Sequence, residues 1–335
     1  MNASPLQRDL LRPLSLLYGA GAHARVWMYQ KGWLKQKHLK AQVISIGNLT
    51  VGGTGKTPMV IWLAEKFLAE GKHVAILSRG YRGSKGSSDE VEVMKFRLQN
   101  RAAFGVGKDR FAEGQRLEAQ QPVDIFLLDD GFQHLQLARD LDILLLDASR
   151  PMRGEPLLPA GRLREPLSAM SRANVVVFTR TEVVPGATEA IDKLGHFPVF
   201  AATTRLLGFR RYGGGIRLES AAEIGGGPFF AFCGIGNPEA FFRDLQTWGV
   251  SVCGRAVFAD HHRYTDEDVL SIKQAGTKGG AKAFITTEKD AQNLAAWKFE
   301  EPPVFISVID IAVSPEADFL NVLERLLAAK IGAAA

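Results

Sequence analysis

The residues best suited to chemistry begin with Asn48-Leu-Thr-Val-Gly-Gly-Thr-Gly-Lys-Thr57. Gly52, Gly53 and Gly55 let the backbone turn its N–H groups toward a chain of phosphates, and a helix starting there would add the positive end of its dipole. Lys56 is placed to reach the β- and γ-phosphates of a nucleoside triphosphate, and the Thr57 hydroxyl to ligate Mg2+. Thr50, Val51, Gly52, Gly53, Thr54, Gly55, Lys56 and Thr57 together form a candidate ATP-binding P-loop, with Thr50 where the motif usually has its first glycine. Further on, Asp124-Ile-Phe-Leu-Leu-Asp-Asp130 reads as an apolar strand ending in two carboxylates, followed by Gly131-Phe-Gln-His134. It resembles a Walker B strand, which makes Asp129 the expected carboxylate for Mg2+. Adjacent strand side chains face opposite ways, so Asp130 should have a different task, either as a second Mg2+-linked carboxylate or as an alternative base.

Such residues need particular elements beneath them. The β-branched run Val43–Gly47 predicts a buried strand feeding the loop. Met59–Glu70 has helical apolar periodicity, with Pro58 in its first turn and Gly71 at its end. Strand, glycine loop, Lys-Thr and helix in that order are the context a P-loop requires. Strand-like runs at Leu141–Asp147, Asn174–Thr179 and Pro198–Ala202 continue the alternation. The expected fold class is therefore α/β, a P-loop NTPase-type, mostly parallel sheet with helices on both faces. Residues 41–207 would form this domain and the glycine-rich stretch 208–227 a linker. Residues 228–335 would make a second, smaller α/β domain closed by a helix at about 315–330.

At 46% apolar and 23% charged, the composition is that of a folded globular chain. Two cysteines, Cys233 and Cys253, without metal-type spacing, point to thiols in a reducing compartment. The net charge is +5, but seven Lys/Arg and one Asp give residues 1–40 a charge of +6, leaving −1 for the remainder. The body thus lacks the basic face that nucleic acid would need, and no nucleic-acid partner is expected. The basic leader is also rich in Leu, Trp and Tyr. Its cleanest apolar run, Pro13–Ala22, is roughly half of what a membrane-spanning helix requires. A helix lying in a membrane interface fits the pattern, and so does an ordinary helix packed on the body. Pro13 and the pair Gly19 and Gly21 predict two shorter helices there.

Four kinds of P-loop protein compete. Partition-type ATPases carry an extra lysine before the paired glycines, and Val51 stands there instead. GTPases read guanine with N/T-K-x-D, to which Thr179-Arg-Thr-Glu182 is a poor match. A membrane-associated nucleotide-binding regulator is the remaining non-kinase alternative. A kinase needs a base for the acceptor hydroxyl and cations for the phosphoryl group in transfer.

The ordered blocks Asn48–Pro58, Ser78-Arg-Gly-Tyr81, Gly107-Lys-Asp-Arg110, Asp129–His134 and Leu158–Pro166 decide among these. With Phe232–Pro238, Ala259-Asp-His-His262 and Thr287–Ala291, they resemble the tetraacyldisaccharide 4'-kinase family of lipid A synthesis from about residue 10 to 310. The resemblance implies transfer of the ATP γ-phosphate to the 4'-hydroxyl of an acylated glucosamine disaccharide 1-phosphate, giving lipid IVA. It implies Mg2+ and ATP as cofactors, and residues 1–40 resting on the cytoplasmic face of the bacterial inner membrane. The family's base lies in a G-D-E-P block, matched here by Ser88-Asp-Glu-Val91, which makes Asp89 the candidate base. His261 is the matching histidine, expected from the second domain. Arg110 would stabilise charge at the γ-phosphate. Arg164 and Glu165 resemble the family's Arg-Glu pair, read as phosphate contacts or as a structural salt bridge. Tyr81 would face the acceptor, and Thr287–Asp290 would be a helix-capping turn.

Overall fold

In the computed structural model, residues 5–80, 88–150, 152–184, 197–295, 297 and 301–334 are described. The first half of the chain runs α1 (Pro5–Gln30), β1 (Gln42–Asn48), α2 (Lys56–Ala69), β2 (Val74–Ser78), α3 (Asp89–Leu98), β3 (Ala103–Val106), α4 (Arg110–Gln120), β4 (Ile125–Asp129), β5 (Leu141–Asp147) and β6 (Val175–Thr179). It continues with β7 (Val199–Arg211), β8 (Phe229–Cys233), α5 (Pro238–Thr247), β9 (Val252–Val257), α6 (Asp266–Lys278), β10 (Ala283–Thr287), α7 (Glu288–Ala291), β11 (Val304–Ser314) and α8 (Glu316–Ala334).

These elements form two compact units. The first comprises Met1–Tyr81, Leu98–Thr204 and Ile311–Ala335, the second Arg82–Arg97 and Arg205–Asp310. In the first, strands lie in the order β3-β2-β4-β1-β5-β6-β7 with parallel pairing. In the second, β11, β10, β8 and β9 pair in parallel in that order. The expected mostly parallel α/β fold is thus present.

The strand sequences explain the layering. β1 is buried at every residue after Gln42, and β4 and β5 are buried throughout. Because successive side chains face opposite ways, both faces of this sheet are covered. Each fully buried Leu, Ile or Phe contributes about 1.5–3 kcal/mol. β1 and the turn after β4 approach closely at Gly47, where a Cβ would stand 2.6 Å from the backbone nitrogen of Phe132. Only glycine fits there, and that contact sets how near the phosphate loop lies to the strand carrying Asp129.

Several sequence expectations need correction. α1 is one helix with Pro13 inside it, not two. Its glycine at position 19 serves close packing rather than a break, since a Cβ there would meet Leu157 at 2.6 Å. One turn earlier, Ser15 Oγ donates to the Leu157 carbonyl at 2.9 Å and accepts from Ala160 N–H at 3.0 Å. The glycine-rich stretch 208–227 is not a free linker. Phe209 and Glu219 exchange two backbone hydrogen bonds of 2.8 Å, and Phe209 and Ile224 lie in the core of the second unit. Its glycines serve turns, with positive φ at Gly213, Gly225, Gly226 and Gly227. α8 belongs to the first unit rather than the second, because Phe319 packs on Trp62 and Phe200, and Gln42 donates to the Leu327 carbonyl. Asp89, expected in the P-loop domain, belongs to the second unit. Both cysteines are free thiols, Cys233 buried and Cys253 half-buried.

Candidate active site

The phosphate loop is held from three sides. Asn48 Nδ2 donates to Thr54 Oγ1 at 2.9 Å, and Thr179 Oγ1 at the end of β6 donates to the Thr54 carbonyl at 3.1 Å. Val51 N–H donates to the Arg162 carbonyl at 2.9 Å, and Thr50 forms an antiparallel bridge with Leu163. That pairing explains why Thr50 can replace the customary glycine, since a bridge needs no left-handed backbone. Gly52 and Gly55 do need it, at φ +111° and +83°. α2 then starts at Lys56, and Thr57 is buried in its first turn.

The carboxylates divide by environment. Asp129 closes β4 opposite Ile46 of β1, and its Oδ2 accepts from Ser78 Oγ at 3.1 Å. Asp130 lies beyond the strand with φ +48°, so a turn rather than strand alternation separates the two. Arg164 Nη1 donates to both Asp130 oxygens, at 2.9 and 2.7 Å, and Lys56 Nζ stands 3.6 Å away. Burial would raise the Asp130 pKa, but the Lys56 and Arg164 charges outweigh it and lower it to about 2.

Arg110 opens α4 behind the N-cap Asp109, whose carboxylate accepts from Phe111 and Ala112 N–H at 3.1 Å each. It is 5% exposed and donates to the Asp129 carbonyl at 3.3 Å. Burial lowers its pKa against the pull of Asp129 and Asp130, yet a guanidinium stays charged. The sequence pair Arg164 and Glu165 points two ways. Arg164 meets Asp130, while buried Glu165 accepts from Arg172 at 2.7 Å, and that guanidinium lies over the Phe132 ring. His134, at the end of the same block, is driven down to about 4 by burial and by Arg110, Arg139 and Arg25.

The second unit brings Asp89 and His261 together. Asp89 opens α3 and is 9% exposed, so it is no solvated loop residue. Its Oδ2 lies 2.9 Å from His261 Nδ1 and accepts from Asn293 Nδ2 at 3.0 Å. Burial would raise its pKa, but the His261 and Asn293 hydrogen bonds prevail and hold it below the usual carboxylate value. His261 sits at φ +61° with its N–H donating to the Gly234 carbonyl. Its pKa is raised, first by the hydrogen bond to Asp89, against burial, and then by Glu90 and Asp260. Because Asp89 is ionised, Nδ1 must be the donor. Glu90 in turn pairs with Lys289 at 2.6 Å.

Tyr81 lies outside the described residues. Sequence reasoning missed Ser78, Asn293 and Lys289. Thr287 does cap α7, accepting from Asp290 N–H at 3.2 Å, as expected of that block. Within it, a charged Glu288-Lys289 step straight after an apolar strand was the available signal for more than a cap.

Comparison with known proteins gives a consistent result. The family model for tetraacyldisaccharide-1-P 4'-kinase, LpxK, matches residues 7–328. The tetraacyldisaccharide 4'-kinase of Geobacter metallireducens is 37% identical over 335 residues, spanning 95% of this chain and 98% of its own length. That of Desulfatibacillum aliphaticivorans is 38% identical over 313 residues, spanning 86% and 84%. The crystal structure of LpxK from Aquifex aeolicus in complex with ATP is similar at a TM-score of 0.76 and 30% identity, covering 96% of this chain and 99% of that one.

The pair in the second unit makes a signed prediction for stability. Asp89, lowered, contributes above its unfolded pKa of about 4 and loses that contribution as pH falls through its folded value. His261, raised, contributes below its unfolded value of about 6.5 and loses that contribution as pH rises through its folded value. The Tm deficit of His261→Gln should therefore be largest near about pH 5–6 and shrink by about pH 9. A deficit that grows with pH would contradict the pairing.

Proposed function

The chain belongs to the tetraacyldisaccharide-1-P 4'-kinase family, and on that premise we propose that it transfers the γ-phosphate of ATP to the 4'-hydroxyl of a tetraacylated glucosamine disaccharide 1-phosphate, giving lipid IVA. The observation that carries this reading is the P-loop at the end of β1, in a chain similar throughout its length to a solved structure that holds ATP. The loop N–H groups and Lys56 take the β- and γ-phosphates. Thr57 and Asp129 offer a hydroxyl and a carboxylate, the hard oxygen donors that suit Mg2+, which usually keeps several waters and binds the phosphates as well. Mg2+ bound there would neutralise charge on the transferring group. Arg110 adds a buried cation next to Asp129.

Asp89 is the base in this reading. The 4'-oxygen forms a bond to the γ-phosphorus as the bond to ADP breaks, and the hydroxyl proton passes to Asp89. His261, bonded through Nδ1, orients the carboxylate and shares the charge. Asp130 suits the task less, because Arg164 occupies both of its oxygens and Lys56 stands beside it. Its work is to fix those two cations beside the loop. That role stands in place of the two that the sequence left open for Asp130, a second Mg2+-linked carboxylate or an alternative base.

The acceptor's acyl chains belong in a membrane, and α1 supports residence at its surface, which we assign to the cytoplasmic face of the inner membrane. Leu10, Leu14, Leu16 and Leu17 are exposed on α1, and Trp33 beyond its end is also exposed. They stand among Arg12, Arg25, Lys31 and Lys35, the mixture that binds an anionic lipid surface. Among the described residues no helix is long and apolar enough to cross a membrane.

Asp89→Asn should lower kcat by about 10²–10³-fold while leaving KM for ATP within about threefold. Turnover equal to the parent's would remove Asp89 from the mechanism. Co-sedimentation with vesicles of anionic phospholipid should fall at least about tenfold in Leu16→Glu/Leu17→Glu, since a charge at the interface opposes burial. Unchanged sedimentation would place the membrane contact elsewhere.

A further inference from the structure

β5 ends at Asp147 beside the phosphate loop, and residues 147–150 form a tight turn. Asp147 Oδ1 accepts from Ser149 N–H at 2.9 Å and from Ser149 Oγ at 2.6 Å, and Arg150 N–H donates to the Asp147 carbonyl at 3.1 Å. The turn carries the Arg150 guanidinium back to the loop. A Cβ built on Gly52 would stand 3.8 Å from Arg150 Nη1. The two sides line one small cavity, with residues 50–54 on one wall and Asp147, Arg150, Met152 and Arg162 on the other.

We infer that Arg150 is a phosphate-binding residue for the nucleotide, contacting the β- and γ-phosphates of ATP beside Gly52. The inference rests on the P-loop reading and adds a cation that neither the motif nor the pairing at Asp130 supplies. Lys56 and Arg164 face Asp130. Arg150 faces the loop backbone, among charges that suit a polyanion: Asp147 attracts it, while Arg162 and Arg180 repel it. Burial disfavours its charged form first of all and lowers its pKa, the two neighbouring guanidiniums lower it further, and phosphate oxygens would offset both. A guanidinium can also meet two phosphate oxygens with parallel N–H donors, which an ammonium cannot.

The test uses the full chain, with Mg-ATP, ADP and AMP as probes in calorimetry, alongside steady-state turnover. Arg150→Met should weaken ATP binding by at least about tenfold and ADP by less, and leave AMP unchanged. Arg150→Lys should recover part of the loss, and it carries the test if the Met variant folds poorly. Parental ATP affinity and turnover in Arg150→Met would overturn the inference, as would equal weakening of AMP, which would mark a ribose or base contact. Lys56→Ala separates the two readings. If it weakens ATP while Arg150→Met does not, Arg150 alone is excluded. If neither weakens ATP, the P-loop reading fails as well.

Discussion

Everything in the first unit depends on how closely β1 may lie against the turn after β4. The parallel register sets Ile46 opposite Asp129, which brings the strand that feeds the phosphate loop level with the strand that ends in a carboxylate. Gly47 makes this possible, because no side chain would fit between it and Phe132. Phe132 is itself fully buried, with Arg172 over its ring and Glu165 fixing Arg172. A chain of packing and pairing therefore runs from the loop's supporting strand to the Arg164-Glu165 segment. Arg164 then returns to Asp130, on the far side of the same turn. Misplacing any of these contacts by an ångström would move Lys56 and Arg164 relative to the loop.

Three carboxylates of similar intrinsic acidity receive different work from their surroundings. Asp130 is clamped by two cations and lowered to about 2, which suits a fixed counter-charge. Asp129 accepts a hydroxyl hydrogen bond from Ser78 at the end of a buried strand, which suits a ligand for Mg2+. Asp89 accepts from an imidazole that can itself carry charge, so a proton arriving there can be shared. That is the arrangement expected when one chain must hold metal and phosphate charge and also remove a proton from an alcohol.

Much of this was legible in the sequence because the chemistry is local. The P-loop, the acidic strand end and the helix after Lys56 lie within continuous runs of fixed spacing. Asp89 and His261 were legible only through family blocks, since 172 residues separate them and no periodicity links them. The unit boundaries were less legible. The second unit draws on Arg82–Arg97 and the first on Ile311–Ala335, and a linear reading assigns each segment to its sequence neighbours. Pro13 and Gly19 misled for a related reason. Glycine in a helix costs about 1 kcal/mol in isolation, yet here it admits the side chain of Leu157, a partner far along the chain that the sequence cannot show. The contacts of Asn293 and Arg150 are set by turns, where side-chain direction is not written in residue type.

The most direct measurement is phosphoryl transfer itself. The chain should be incubated with ATP labelled at the γ-phosphate and a tetraacylated glucosamine disaccharide 1-phosphate in mixed micelles, and the lipid recovered. The account predicts a labelled bis-phosphorylated lipid carrying the new phosphate at the 4' position, with one ADP formed for each lipid phosphorylated. ADP and free phosphate without labelled lipid, or label at another hydroxyl, would contradict it.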